Sequence, residues 1–372
     1  MKIFKNGNPA KLVAFFFIVV ALTCAIAFAA SGWQELEQDP NSGKVDAGVI
    51  PPTSDESDED KEDGTVDQEN PVDPLPKYTH YITGLEVSEN EYYSKVLAIT
   101  MSSDAPLYGI SDSYLTVEIP TEDGKTRFLV LTSKATSHGK IGSIAPTRKY
   151  ISNISKYFGC ILLSHGADDS FEYLGHEIKN HLDLTENSGY HYTEYTEYIY
   201  TNADLVSALL KNSGTPTMSS GIPSVPYTFT DYYSNPVLGK DSAKNVNIFF
   251  SNGNSTELTY SAEDNKYTFS KNSTDKNDLL NDKKTTFDNV FILFSDSVTY
   301  ETEEATQTVL DTMGGGKGYY ITGGTRININ WGFDSDGNMI YTTESGEKLT
   351  INRGTSYLGF VKSSQVSDVV FS

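Results

Sequence analysis

Two arginines are the charged side chains best suited to hold an anionic ligand. Arg127 lies in a run of β-forming residues, and Arg148 lies where a helix can begin after Pro146. The chain has 50 acidic and 28 basic residues, so guanidinium groups at such positions favour a phosphate or carboxylate partner. Ser143, Thr147 and the free amides of the helix start could complete this anion site. The alternative interpretation is that each arginine pairs with an internal Asp or Glu.

Side chains that could catalyse a reaction are few. His165 follows an apolar strand and could line the same site, although a hydrogen-bonded structural role is the favoured interpretation. Asp168 could assist proton transfer or metal binding if the ligand is phosphorylated. Cys160 lies within an apolar strand and is predicted to be a buried, inert thiol. No complete catalytic set, cofactor site or metal site can be assembled, so the sequence favours a binding protein over an enzyme.

Three short motifs imitate known sites without matching them. His176 and His181 are five residues apart, whereas the two histidines of a zinc-protease helix are four apart. The glycines before Lys317 lack the first glycine and the Ser or Thr of a phosphate-binding loop. The acidic turn that begins at Asp334 has Met339 where a calcium loop needs glycine. The sequence therefore predicts no metal and no nucleotide at these motifs.

The elements that position these residues are short strands and helices. A helix is predicted to run from Pro146 to about residue 157, and a second helix is capped by Asn202 and ends before Gly214. Strands rich in β-branched and aromatic residues are predicted over 95–101, 114–120, 126–132 and 160–164. This order of strand, helix and strand indicates an N-terminal α/β domain with a mixed sheet.

The second part of the chain has a different pattern. Between residues 212 and 244, four prolines and three glycines interrupt regular structure, so a domain boundary is predicted near residue 230. Beyond it, apolar and polar residues alternate, with hairpin turns such as Asn252-Gly253 and Asp336-Gly337. The sequence therefore predicts an α+β protein, with the N-terminal domain over 78–230 followed by a mainly antiparallel β domain over 231–372.

A single apolar stretch predicts that these domains lie outside the cytoplasm. Three lysines precede an apolar run over 12–30, which as a helix spans roughly 28 Å, enough for one membrane crossing. Positive charge before the run and acidic residues after it favour a cytoplasmic N-terminus. Residues 1–33 are therefore predicted to be a membrane anchor. The alternative is a signal peptide cleaved at Ala27-Phe28-Ala29, which would release a secreted protein.

Residues 34–77 are predicted to form an acidic, disordered tether. The segment contains fourteen acidic residues and three lysines, which is half of the chain's net charge of −22. Such a composition cannot bury a core. A calcium-binding tract is the alternative, but the segment has no glycine-centred coordinating loop. The acidity of the whole chain also argues against a nucleic-acid partner, because phosphates would be repelled.

Seven segments carry the most recognisable motifs of the chain, over residues 81–87, 95–101, 126–129, 141–148, 316–320, 329–331 and 352–355. Together they resemble the YerB-like lipoprotein family of Gram-positive bacteria, whose members carry two adjacent domains of unknown function behind an export signal. The first part of the chain is similar to the family's Leu-Thr-Gly-Leu-Pro-Val opening, its first core strand, its Thr-Arg strand and its Gly-to-Arg turn. The second part is similar to its Gly-Lys-Gly-Tyr, Ile-Thr-Trp and Pro-Gly-Lys-Thr-Trp stretches.

The chain also departs from the family pattern. Ala145 stands where the family has an arginine, and Glu197-Tyr198-Ile199-Tyr200 replaces the family's Pro-His-Asn-Leu-Tyr. No lipobox surrounds Cys24. If those positions form the family's site, this chain has lost part of it. The resemblance itself implies no settled activity.

Two functions fit such an envelope protein. The first is non-catalytic binding of a wall component, such as a cell-wall glycan or a polyprenyl phosphate, or of another envelope protein. The second is an enzyme acting on a phosphorylated wall precursor or polymer, by analogy with the LytR-CpsA-Psr phosphotransferases, to which the strand order around Arg127 and Arg148 is similar. The tyrosines over 190–200 could stack on sugars or simply pack. The sequence gives no oligomeric state.

Overall fold

The structure, a computed structural model, describes residues 75–122, 124–167, 180–195, 197–301 and 306–372. The predicted membrane anchor over 1–33 and the predicted tether up to residue 74 lie outside these ranges. Pro71–Ser372 forms one compact unit. None of the helices within the described ranges is long and apolar enough to cross a membrane. The fold is α+β and consists mostly of sheet, as the sequence predicts.

Helices are few in the described residues, and local contacts set where they begin. The predicted helix after Pro146 begins at Lys149, because the amide of Thr147 is bound to the Gly166 carbonyl oxygen at 3.0 Å. The second predicted helix begins after Asn202, whose side chain accepts a hydrogen bond from the amide of Leu205 at 3.0 Å. The α-helices are α1 (Glu89–Tyr93), α2 (Lys149–Tyr157) and α3 (Ala203–Asn212), and a 3₁₀ helix spans Ser363–Asp368.

Strands make up most of the fold. The strands before residue 230 are β1 (Leu97–Ser102), β2 (Leu115–Pro120), β3 (Thr126–Thr132), β4 (Ile141–Ile144), β5 (Ile161–Ser164), β6 (His181–Asp183), β7 (Tyr192–Glu194), β8 (Tyr198–Thr201) and β9 (Thr228–Phe229). Those after it are β10 (Asp241–Ser242), β11 (Asn245–Ser251), β12 (Asn254–Ser261), β13 (Lys266–Lys271), β14 (Thr274–Asp275), β15 (Asn277–Asp278), β16 (Lys283–Lys284), β17 (Thr286–Phe287), β18 (Asn289–Ser295), β19 (Ser297–Glu301), β20 (Thr306–Leu310), β21 (Gly316–Thr322), β22 (Thr325–Phe333), β23 (Met339–Thr343), β24 (Thr350–Ile351), β25 (Ser356–Lys362) and β26 (Val369–Phe371).

One large sheet contains strands from both parts of the chain. Within the described residues it has 14 strands, and its central order is β10-β22-β21-β18-β25-β2-β3-β1-β4-β8-β7. The two parts meet where β2 pairs in parallel with β25, from Leu115 opposite Ser356 to Glu118 opposite Gly359. The sheet is mixed, because β1 is antiparallel to β3 and parallel to β5. The boundary near residue 230 stays a prediction, and backbone pairing continues across the two parts that it separates.

Different elements pack on the two faces of the large sheet. On one face, called here the sandwich face, Phe128 and Ile292 belong to the same core cluster as Leu258 and Phe269 of a six-stranded sheet built from β11–β14, β17 and β26. On the other, called here the helix face, Leu129 and Leu131 belong to a core cluster with residues of α2. This division follows from the alternation of side chains along each strand.

Candidate functional site

Three of the candidate anion-binding residues lie close together where α2 begins. The segment that connects β4 to α2 runs beside the end of β5. There the amide of Thr147 is bound to Gly166, and the amide of His165 donates to the Ala145 carbonyl oxygen at 3.2 Å. Thr147, Arg148 and His165 therefore lie close together beyond the ends of β4 and β5. No side chain caps the first turn of α2, which leaves its positive dipole end beside Arg148.

Arg148 has an internal carboxylate partner. Its Nε donates to Oε2 of Glu122 at 3.0 Å, and its Nη1 donates to the Thr147 carbonyl oxygen at 3.2 Å. Its side chain is only 14% exposed. The other carboxylate oxygen of Glu122 accepts from the hydroxyl of Tyr150 at 2.9 Å. Arg148 therefore forms the internal ion pair that the alternative interpretation predicts. Its role in ligand binding stays a prediction.

Arg127 has fewer internal partners. It is half-buried on β3, and its Nη1 donates to the Thr126 carbonyl oxygen at 3.3 Å. Its Nε is buried and has no hydrogen-bond partner. Arg127 forms no ion pair with any residue that the structure describes.

The two arginines belong to the same face of the large sheet. Arg127 is two residues before Leu129, so alternation along β3 places it on the helix face. Arg148 immediately precedes α2, which covers that face. Both arginines therefore belong to the helix face, and a shared anion site between them stays a prediction.

The remaining predicted site residues differ in their accessibility. Ser143 and Thr147 are buried, with 3% and 0% exposure. His165 is half-buried. Asp168 lies outside the described residues. Cys160 is a buried free thiol, and burial raises its pKa well above the usual range, which agrees with the prediction of an inert side chain.

A cluster of polar side chains at the ends of β5 and β6 surrounds His165. The rings of His165 and His191 are 4.8 Å apart, and Nε2 of His181 lies 2.8 Å from the hydroxyl of Ser164. Burial lowers the pKa of His165, His191 lowers it further, and Asp183 opposes the change. Burial also lowers the pKa of His181. These two imidazoles are therefore neutral near pH 7, so the positive charge of the site comes from its arginines.

The sequence did not identify His181, Asp183 and His191 as site residues. The available clue was the His-Leu-Asp spacing of β6, which places His181 and Asp183 on one side of a strand. Asp183 accepts a hydrogen bond from the amide of Gly166 at 2.8 Å. Across the described residues, no three His, Cys, Asp or Glu side chains are grouped to hold a metal ion.

A buried charge network supports the strand that carries Arg127. Nζ of Lys271 donates to Oε1 of Glu118, and the two side chains are 2% and 0% exposed. Glu118 also accepts from the hydroxyls of Thr126 and Thr256, both at 2.6 Å, and of Tyr357 at 2.7 Å. Burial, and then the charge of Glu118, raise the pKa of Tyr357 well above its usual value. The sequence showed only an isolated glutamate within an apolar strand.

Two of the family-like segments contact each other. Nη1 of Arg353 donates to the Gly84 carbonyl oxygen at 2.6 Å, and the amide of Gly354 donates to the Thr83 carbonyl oxygen at 2.8 Å. The guanidinium carbon of Arg353 lies 3.8 Å from the ring centroid of Tyr232. Gly84 has φ of +67°, a left-handed conformation that favours glycine. These motif residues therefore hold the two ends of the fold together.

Comparisons with known proteins agree with the fold. Residues 82–215 match the family described as protein of unknown function (DUF3048), N-terminal domain, and residues 246–358 match the DUF3048 C-terminal domain. The solved structure of the YerB protein from Bacillus subtilis is similar, with 19% identity and a TM-score of 0.69 over 80% of this chain and 100% of that chain. No curated protein matches. The chain belongs to the YerB-like family, whose members carry two adjacent DUF3048 domains of unknown function.

Proposed function

We propose that this protein is tethered to the membrane, lies outside the cytoplasm and binds an anionic wall component or envelope partner without catalysing a reaction. The lysines before the apolar run over 12–30 support the export, and the acidic segment over 34–77 supports the tether. The site itself supports the anionic ligand, because its positive charge comes from Arg127 and Arg148.

Arg127 is the observation that carries the proposal. A buried donor without an acceptor costs about 1–3 kcal/mol, and more when the donor is charged. Arg127 nevertheless keeps an unpaired Nε in a chain with 50 acidic residues. A phosphate or carboxylate bound beside it would supply the missing acceptor.

Titration calorimetry of the full chain in detergent tests this function. The ligands are soluble peptidoglycan fragments, a short-chain polyprenyl phosphate and fragments of an anionic wall polymer. We expect at least one anionic ligand to bind, and Arg127→Ala to weaken it by at least about tenfold, the effect of losing one charge-assisted hydrogen bond. Lys211→Ala, which removes one positive charge from an exposed position of α3, is the control. Absence of binding by every ligand, together with no crosslinked partner in cells, would contradict the proposal.

The predicted location has its own test. Protease added outside intact cells should cut the chain beyond residue 34, whereas a cytoplasmic marker protein should stay intact. Protection of the C-terminal part until the cells are lysed would rule out an extracytoplasmic body.

An enzyme acting on a phosphorylated wall precursor is the second candidate. The observation that favours it is the 2.8 Å contact between the buried Ser164 hydroxyl and Nε2 of His181. The hydroxyl donates to the Gly166 carbonyl oxygen at 3.0 Å, and it would become a nucleophile if His181 accepted this proton instead. Turnover of a glycan linked to polyprenyl phosphate, lost in Ser164→Ala and retained in Ser152→Ala, would support this candidate. Ligand binding without turnover would leave the binding function.

A further inference from the structure

A cleft of about 410 Å³ lies on the sandwich face of the large sheet, near its β22 edge. Strand β22 directs Ile329 and Trp331 towards the core cluster of the helix face. By alternation, Asn328 and Asn330 lie on the opposite face, where both line the cleft. Arg127 belongs to the helix face, so this cleft is separate from the anion site.

The floor of the cleft is a regular polar array on paired strands. Lys317 of β21 is directly opposite Asn330 of β22, and Tyr319 is opposite Asn328. The ring of Tyr319 is fixed by edge-to-face contacts with Phe294 at 5.5 Å and with Phe371 at 5.1 Å. Side chains held on paired strands are preorganised, which lowers the entropic cost of binding.

Hydrogen bonds within the cleft fix its polar side chains but leave some of their oxygen atoms free to accept. Nδ2 of Asn328 donates to Oε1 of Glu344 at 3.3 Å, and Nδ2 of Asn330 donates to the Thr343 carbonyl oxygen at 3.3 Å. The hydroxyl of Ser363 donates to Oδ1 of Asp296. Both amides and both carboxylates therefore keep an oxygen that accepts no hydrogen bond from the residues that the structure describes.

Lys317 is the one cation among the described residues that line the cleft, and it is exposed. Its ammonium group forms neither an ion pair nor a hydrogen bond with any described residue, although Asp296 and Glu344 line the same cleft. The cleft thus offers four free acceptor oxygens, two of them on carboxylates, beside the ammonium of Lys317. A simple anion would be repelled by the two carboxylates, so the matching ligand must donate hydrogen bonds in several directions and also offer an acceptor to Lys317.

Hydroxyl groups on a sugar ring have this chemistry, because each hydroxyl both donates and accepts. The C–H surfaces of the ring also suit the apolar walls formed by Phe294, Tyr319 and the exposed Val366. The volume falls within the usual range of small-ligand sites. We propose that this cleft binds a short neutral saccharide, held by Asn328, Asn330, Glu344 and Lys317.

Calorimetric titration of the full chain in detergent with N-acetylglucosamine oligomers and with glucose oligomers tests the proposal. We expect saturable binding of at least one oligomer, and inorganic phosphate should not compete with it. Asn330→Ala and Glu344→Gln should each weaken binding by about tenfold, the loss of one hydrogen bond. Lys317→Gln should also weaken it, and this change breaks no ion pair or side-chain hydrogen bond with the described residues, so it tests the cleft even if another variant fails to fold.

Two control variants test whether the saccharide binds in this cleft. Asn235→Ala removes an exposed asparagine outside the cleft and should leave saccharide binding unchanged. Arg127→Ala should also leave it unchanged, so failure of the anion site and failure of this cleft can be distinguished. Binding to an insoluble polymer of the same sugar tests which part of a glycan is recognised. Retention of the protein on the polymer indicates recognition within a glycan chain, and binding of soluble oligomers alone indicates recognition of free chain ends. No saturation with either oligomer, or wild-type affinity in all three cleft variants, would overturn the proposal.

Discussion

His80 illustrates how burial can dominate the protonation state of a single side chain. It is 1% exposed, and its ring centroid lies 3.8 Å from that of Tyr114. Its Nδ1 accepts from the amide of Ile82 at 3.3 Å, so the proton of the neutral ring is on Nε2, which has no partner. Burial, with a smaller contribution from Lys134, lowers the pKa of His80 to about 3. The folded protein therefore holds a neutral imidazole well below pH 6.

This shift makes the stability of the protein depend on pH. The unfolded chain takes up a proton on His80 near pH 6.5, whereas the folded chain does so only near pH 3. The stability contributed by His80 is thus complete above pH 6.5 and falls below it by about 1.4 kcal/mol per pH unit until about pH 3. Urea unfolding should show that wild type loses about 1 kcal/mol more than His80→Asn between pH 7.5 and 5.5. Between pH 8.5 and 7.5, the free energy of unfolding should change equally in the two proteins. An equal change in the two proteins between pH 7.5 and 5.5 as well would contradict the prediction.

At the scale of elements, the two longer helices begin for different physical reasons. The Asn202 side chain caps α3 by accepting from the amide of Leu205, and this cap was readable from the sequence. The start of α2 is set by backbone bonds between Thr147 and Gly166, and no side chain caps it. An uncapped first turn keeps free amides beside the arginines of the proposed anion site.

The cap of α3 can be tested directly. Asn202→Ala should lower the free energy of unfolding by about 1 kcal/mol, because the amide of Leu205 loses its acceptor. Asn202→Ser keeps a capping oxygen and serves as the control. Urea denaturation measures both variants, and a similar loss in the two would mean that the cap is not the cause.

At the scale of the whole molecule, the two family domains depend on each other. Strand β2 has β3 on one side and β25 on the other, so the first part of the chain completes its sheet with a strand from the second. Glu118 of β2 is fully buried against Lys271 of β13. Removing one partner of a buried ion pair costs about 3–5 kcal/mol, because the other charge is left without compensation.

Neither part should therefore fold alone. A fragment over 75–230 should unfold without a cooperative transition, and mixing it with a fragment over 231–372 should restore one, as followed by circular dichroism during heating. A cooperative transition in the isolated first fragment would show that the domains are independent.

In the intact chain, Lys271→Met should be more destabilising than the double variant Glu118→Leu/Lys271→Met, which leaves no unpaired charge.

Local features of the fold were predictable from sequence, whereas contacts between distant segments were not. The strand predicted over 126–132 is β3 as observed, and the predicted helix after Asn202 is α3. These features depend on propensity, capping and period-two patterns, which are local. The pairing of β2 with β25 joins residues more than 230 positions apart, and no local pattern specifies such a partner.

The candidate site shows the same division. Arg127 and Arg148 were identified because guanidinium groups are unusual on a core strand and at a helix start. The Glu122 partner of Arg148 comes from the turn after β2 and could be known only from the fold. The polar cleft near β22 also depends on which strands are neighbours, so Asn328 and Asn330 gave no functional indication in the sequence.

The hydrogen bond from Arg353 to Gly84 joins residues 269 positions apart, close to where the folded body begins. A force applied at residue 75 would therefore be transmitted to the loop that contains Arg353 before the strands could separate one after another from the N-terminal side. The two segments that contain Gly84 and Arg353 should therefore resist separation when the chain is pulled from its N-terminal side.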